Sequence, residues 1–193
     1  MAEDARFAHL VSLACHDLRT PLATVHGFAR TLARVELSDP APRYVEMIQA
    51  ASSQLDELLD ELSLVARIEA GRFDPALVEA DSLALAEAAA AELGEGVTVR
   101  GEGARVTVDP DTTRRALRQL ARAARRHGGL ESVDLTARGA ELEIAPITAS
   151  AAPVVTGAEL RELGAAAGVA LVQALGGYVR LEHDRLRIRL PVA

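Results

Sequence analysis

The chain has 193 residues, a net charge of −7, 49% apolar and 3% aromatic residues; that is enough for one medium domain or two small ones, and an Ala/Leu/Val-dominated apolar set favours helices over a β-sandwich. The acidic balance argues against nucleic acid as a partner, and a single cysteine, Cys15, excludes an internal disulfide or a cysteine-based zinc site. No apolar stretch reaches the length of a membrane span, and the acidic start Met1-Ala2-Glu3-Asp4 is unlike a signal peptide, so a cytoplasmic protein is expected.

Two long amphipathic helices come first. In one, Phe7, Val11, Ala14, Leu18, Leu22, Val25, Ala29 and Leu32 recur at spacings of three and four. In the next, Tyr44, Ile48, Ala51, Leu55, Leu58, Leu62 and Val65 alternate strictly between four and three, the period of a bundle seam. The polar break Leu37-Ser38-Asp39-Pro40-Ala41-Pro42 is short, which makes the helices antiparallel neighbours. Leu59 and Leu64 widen the apolar stripe beyond one seam, so a lone hairpin leaves apolar surface uncovered. A homodimer closing a four-helix bundle is the simplest cover, and the second domain is the other candidate.

The pattern changes at Gly71-Arg72-Phe73-Asp74-Pro75, which sets expected domains of 1–72 and 73–193. An Ala-rich helix is expected over 81–93, capped by Asp81 or Ser82. Strands are expected at 97–99 and 105–108. Asp109-Pro110 opens a helix that runs to about His127 and stops at Gly128-Gly129. Further strands are expected at 133–135 and 141–144, a loop over 146–155, a helix over 157–175, and strands at 178–181 and 186–190. The sum is an α+β fold: a helical hairpin, then an α/β sandwich with helices on one face of a mixed sheet.

The first helix carries His16-Asp17-Leu18-Arg19-Thr20-Pro21-Leu22. His16 sits between the seam positions Ala14 and Leu18 and therefore points away from the bundle core. Ser12, Arg19, Thr20 and Ala23 share its outward ridge by helical spacing. A neutral imidazole nitrogen is a good nucleophile toward phosphorus near neutral pH. Asp17 is the adjacent base that could orient it. Ser12, Thr20 and Ala23 are small enough to admit a partner's phosphate, and Thr20 could position a water against a phosphoryl group. Pro21 cannot donate its backbone N–H and should kink the helix just past His16.

This run resembles the H-box of bacterial two-component sensor histidine kinases. The surrounding hairpin, from Phe7 to about Phe73, resembles their dimerisation and histidine-phosphotransfer domain. The resemblance implies His16 as phosphoacceptor, Asp17 as the acid–base residue, Thr20 as the phosphatase-assisting residue, and Ser12, Arg19 and Ala23 as partner-docking positions. It also implies a homodimer and a response-regulator receiver domain as partner.

The segment from Pro75 to Val192 resembles the family's ATP-binding lobe in its order of elements, but not in its nucleotide-binding residues. Gln119 and Ala123 stand at the two N-box asparagine positions, the second of which would hold Mg²⁺. Where the family has Asp-x-Gly-x-Gly, this chain has Ala145-Pro146-Ile147-Thr148-Ala149. The later phosphate loop reads Glu162-Leu163-Gly164, with one glycine left. Without the asparagine Mg²⁺ loses a ligand, and without the glycines the backbone cannot approach phosphates closely. A carboxylate at Glu162 would repel a triphosphate by roughly 4 kcal/mol at about 4 Å and an effective dielectric near 20. The lobe is therefore expected to be degenerate, a pseudokinase lobe that binds no cofactor itself, with Mg²⁺ supplied by the receiver. The expected function is histidine phosphotransfer in a phosphorelay, between His16 and a receiver aspartate. The alternative is a divergent kinase that autophosphorylates His16 from ATP.

Overall fold

The structure, a computed structural model, describes the backbone of residues 2–35 and 38–192 and the side chains of residues 11, 15, 16, 18–35 and 38–192. Leu37 lies outside the described residues, as do the side chains of Phe7, Ser12, Ala14 and Asp17. The chain divides into two compact units, 1–72 and 73–193.

The first unit is a hairpin of α1 (Ala2–Leu32) and α2 (Ala41–Glu69). Helix α1 continues through Pro21, and α2 opens with Pro42 in its first turn, where a missing N–H costs nothing. The hairpin does not close on the seam that the larger side chains suggested. It buries Cys15, Leu22 and Ala29 of α1 with Val45, Ser52, Leu59 and Ala66 of α2, two stripes of seven-residue spacing. Small side chains on both stripes let the backbones approach. Leu18, Val25, Leu32, Tyr44, Ile48, Leu55 and Leu58 remain exposed, each at least 40%.

The second unit begins with β1 (Val78–Asp81), which pairs antiparallel with β3 (Arg105–Val108) in a two-stranded sheet. Strands β2 (Val97–Gly103), β4 (Val133–Gly139), β5 (Glu141–Ala145), β6 (Tyr178–Glu182) and β7 (Arg185–Arg189) form a mixed sheet in the order β2-β4-β5-β7-β6. Only β2 and β4 run parallel. Helices α3 (Ser82–Leu93), α4 (Pro110–Gly128) and α6 (Leu163–Ala174) supply the other layer. Leu117, Leu120 and Leu171 meet Leu135, Leu142, Ile144, Leu186 and Ile188 in a core from which water is excluded.

Local signals explain the helix ends. Asp81 caps α3 by accepting the Ala84 N–H at 3.0 Å, and Asp109 caps α4 by accepting the Thr112 N–H at 2.9 Å. Burial alone would raise the Asp109 carboxyl, but amide donors from Thr112 and Ala76 outweigh it and hold it below the usual carboxylate range. Gly129 ends α4 in the left-handed region at φ 60°, where a side chain would be strained. Gly168 lets α6 lie against α4: a Cβ there would come within 3.0 Å of Leu120 Cγ and 3.2 Å of the Ala116 carbonyl oxygen.

Three expectations need correction. The last long helix starts at Leu163, not Gly157, because Gly157 (φ 74°) ends a preceding turn and residues 158–162 have no helical hydrogen-bonding pattern. The expected loop over 146–155 contains a short helix, α5 (Ala152–Val155), whose Val154 and Val155 are buried. Strand β1 is additional to the expected strands: four residues long, it pairs with β3, whose other side is bridged by Val192, and Leu77 and Val78 are exposed.

Candidate functional site

His16 is exposed on the outer side of α1. It lines an open cleft of about 620 Å³ with Arg19, Thr20, Ala23 and Thr24 of the same helix and Asp56 of α2. Positions 16, 19, 20, 23 and 24 follow the three- and four-residue spacing of one helical face, so a single turn-by-turn ridge presents the imidazole, the guanidinium and the Thr20 side chain together. Thr24 turns its hydroxyl inward, donating to the Thr20 carbonyl at 3.1 Å. The Thr20 side chain is exposed.

Helix α2 contributes acid. Arg19 Nη2 meets Asp60 Oδ1 at 2.6 Å, an ion pair between exposed groups that ties the two helices together beside the cleft. Asp56 lies one turn earlier on α2 and reaches the cleft itself. Behind the ridge, Cys15 is buried among Leu22, Leu59, Val11 and Leu62. Burial raises its thiol above the ordinary value, only partly offset by the nearby Arg19 charge, so it stays protonated and packs as a small apolar group.

Of the sequence-derived positions, His16, Arg19, Thr20 and Ala23 come together in the cleft. The side chains of Ser12 and Asp17 lie outside the described residues. Sequence reasoning missed Thr24, whose signal was its place one turn beyond Thr20. It also missed Asp56 and Asp60, which needed the pairing of α1 with α2.

The five positions in the lobe lie on three elements. Gln119 and Ala123 are buried on one ridge of α4, and His127 follows one turn later. His127 Nε2 lies 2.6 Å from Glu162 Oε2, so the carboxylate is engaged at the residue preceding α6. Gly164 is buried in the first turn of α6, and Ala145 ends β5.

Residues 8–71 match the His Kinase A (phospho-acceptor) domain family. Across the lobe as well, the sensor protein DivL of Caulobacter vibrioides is 30% identical over 201 residues, covering 88% of this chain and 25% of DivL. The chain belongs to the two-component sensor histidine kinase family. The histidine protein kinase DivJ of the same organism is a further relative, 31% identical over 121 residues, covering 58% of the chain and 20% of DivJ. Among solved structures, full-length ShkA in complex with AMPPNP superposes with a TM-score of 0.72 at 23% identity, covering 96% of this chain and 46% of that one. The Acinetobacter baumannii histidine kinase AdeS gives 0.60 at 16% identity, covering 92% and 98%. These structures show the shared fold: a helical N-terminal region followed by the mixed sheet of histidine kinase ATPase domains. The chain spans a quarter or less of the length of the curated relatives it matches. Among the described residues, no helix is long and apolar enough to cross a membrane.

Proposed function

We propose that this protein is a dimeric histidine phosphotransferase of a two-component phosphorelay, exchanging a phosphoryl group between His16 and the aspartate of a response-regulator receiver domain. The observation that carries this reading is the cleft, which gathers His16, Arg19, Thr20 and Ala23 on one accessible face within the phospho-acceptor domain. In the loading direction a neutral imidazole nitrogen of His16 attacks phosphorus of the aspartyl phosphate. The N–P bond forms, the P–O bond to the carboxyl breaks, and the aspartate leaves as a carboxylate. The imidazole keeps its other N–H until solvent takes a proton. Both links are high in energy, so the reverse transfer is equally accessible. Asp17 aids the proton movement, Thr20 can position a water for hydrolysis, and Ser12, Arg19 and Ala23 frame the docked receiver. Mg²⁺ belongs to the receiver's side of the complex.

The same reading assigns no ATP chemistry to the lobe. Its support is chemical. Gln119 and Ala123 stand at the N-box positions, Ala145 stands where an acid would meet adenine, and Glu162 would face phosphate with a carboxylate that His127 already engages. The lobe then acts as a scaffold and second docking surface. The outer ridge of α4 suits that role: among the described residues no carboxylate forms an ion pair with Arg115, Arg122 or Arg126, whereas Arg114 and Arg118 are paired with Glu92. Autophosphorylation from ATP is the second reading; it draws on the lobe's fold, shared with a chain solved with AMPPNP.

Two labelling experiments decide between them. A phosphorylated receiver should transfer label to the purified protein and not to a His16→Gln variant, while labelled ATP leaves His16 unlabelled. Label on His16 from ATP, with micromolar affinity, would establish the kinase reading instead. Absence of transfer, together with normal signalling by His16→Ala in cells, would reduce the protein to a non-catalytic receiver-binding module.

A further inference from the structure

We infer that Arg19 is a phosphoryl clamp held in reserve by Asp60, and that loading His16 transfers Arg19 from the carboxylate to the phosphoryl group. The inference rests on the reading of His16 as the residue that carries phosphate. Three observations place the parts. Arg19 follows His16 by three residues on α1, so their side chains leave the helix as neighbours. Both line the same open cleft. The Arg19 guanidinium is engaged on the far side by Asp60 of α2 at 2.6 Å, and both partners are water-exposed at 42% and 58%.

Exposure matters to the argument. A solvent-exposed ion pair contributes little net stability, so Asp60 holds Arg19 weakly and can be displaced. A phosphoryl group on His16 brings a charge of about −1.5 to −2 at neutral pH and three acceptor oxygens. It therefore attracts the guanidinium more strongly than a single carboxylate does at equal distance. Arginine's planar fork suits a bidentate contact with phosphate as well as with carboxylate, so the exchange costs no hydrogen bonds. Asp56 adds a push: its carboxylate lines the cleft, and among the described residues Arg19 is the one guanidinium there to neutralise a phosphoryl dianion against it.

The exchange links chemistry to shape. In the unloaded protein Arg19–Asp60 bridges α1 and α2 beside the cleft. After loading, that bridge is gone and the Asp56–Asp60 edge of α2 is left unneutralised facing a more acidic α1. By linkage, whatever favours the bridge disfavours the phosphoryl group by the same factor. Asp60 is thus a positioning residue acting through Arg19, and a partner sees a different cleft rim before and after transfer.

The test needs no receiver. Potassium phosphoramidate loads histidine directly: the imidazole nitrogen attacks phosphorus, the P–NH₂ bond breaks, and ammonia leaves with the proton. At fixed ammonium concentration, ³¹P NMR gives the ratio of loaded to unloaded His16 in the full chain. Arg19→Ala should lower that ratio about fivefold and Asp60→Asn should raise it about threefold, magnitudes of one exposed charge-assisted contact. Arg19→Lys, which keeps the charge and loses the fork, should fall between Arg19→Ala and wild type and shift the ³¹P resonance. The Arg19 side-chain N–H resonances should move on loading in wild type and stay fixed in His16→Gln. Equal loading in all variants, or Arg19 resonances unchanged on loading, overturns the clamp and leaves the phosphotransferase reading standing. Normal loading with these shifts but no exchange with a receiver sinks the phosphotransferase reading and leaves the clamp. A His16 that takes no phosphoryl group from phosphoramidate overturns both.

Discussion

His127 and Glu162 bring Nε2 and Oε2 to 2.6 Å, joining the last turn of α4 to the residue that precedes α6. Both side chains are largely buried, at 22% and 16% exposure, so water competes poorly for either partner. At this corner of the lobe a histidine and a carboxylate satisfy each other. Replacing His127 by Ala leaves Glu162 half-desolvated without its donor, and should cost about 1–2 kcal/mol. Thermal unfolding of the full chain should show the lobe melting several degrees lower, while Glu162→Gln, which can still accept a hydrogen bond, loses less. An unchanged melting curve in His127→Ala would show that the pair adds nothing to holding α4 against α6.

Glu143 is the most buried acid of the lobe, 1% exposed on the central strand β5. Its neighbours Leu142 and Ile144 face the helices, so Glu143 faces the open side of the sheet. There Arg138 Nε lies at 2.9 Å, Arg185 Nη1 at 3.2 Å and Arg187 Nε at 3.3 Å. Desolvation would raise the carboxyl, but Arg138 and Arg185 outweigh it and hold it below the usual carboxylate range. A lowered folded value means that the ionised group stabilises the fold above the unfolded value of about 4.3, and that this contribution fades as pH falls through the folded value. Glu143→Gln should therefore cost about 2–3 kcal/mol near pH 7, less than a fully buried broken pair because the arginines reach water. Urea titrations at descending pH check the sign: the gap between variant and wild type should close below about pH 4.

Where the sequence was legible, several local signals coincided. Helix α4 carries Asp109-Pro110 at one end and Gly128-Gly129 at the other, and both ends fell within a residue of expectation. Helix α6 has no such marker; its approach, Gly157-Ala158-Glu159-Leu160-Arg161-Glu162, fits helix or turn equally, and packing against α4 decides. The hairpin shows a different limit. Two stripes of α1, Leu18/Val25/Leu32 and Cys15/Leu22/Ala29, run at the same seven-residue spacing. Hydrophobicity ranks the first higher, but close approach of two backbones selects the second. The cleft was half-legible for the same reason. His16 to Ala23 lie on one segment and declare themselves by spacing, whereas Asp56 and Asp60 enter through the pairing of two helices.

The α4 ridge yields a prediction about salt. Arg115, Arg122 and Arg126 recur at spacings of seven and four, so they project from one side of the helix over about 16 Å at 1.5 Å per residue. The chain has no lysine, and arginine is the residue best suited to bidentate contact with carboxylates. If the lobe is a second docking surface, Arg122→Glu with Arg126→Glu should weaken receiver binding about tenfold at low ionic strength, mainly through slower association. Calorimetric or surface-binding measurements at low and high salt should show the difference shrinking as screening shortens the reach of these charges. An affinity that is the same for wild type and variant at both salt concentrations would confine docking to the hairpin.

The exposed stripe of the hairpin sets the last expectation. Leu18, Val25 and Leu32 on α1 and Ile48, Leu55 and Leu58 on α2 are 40–54% exposed in the single chain. Apolar surface of that extent on one hairpin is not stable against water, and its heptad spacing matches the seam of a four-helix bundle. On the proposed dimeric reading, a second copy would offer the same stripe and close the bundle isologously. Leu55 lies midway along α2, so Leu55→Glu would bury two carboxylates, one from each copy, at the centre of the seam. The energetic cost of two unpaired buried charges exceeds what a few leucines supply, and the variant should sediment as a monomer at concentrations where wild type is a dimer. Leu160→Glu is the control: it is 82% exposed, lies in the lobe outside the hairpin, and should leave the dimer intact. Monomeric wild type in analytical ultracentrifugation at tens of micromolar would overturn the dimer and leave the stripe to some other partner.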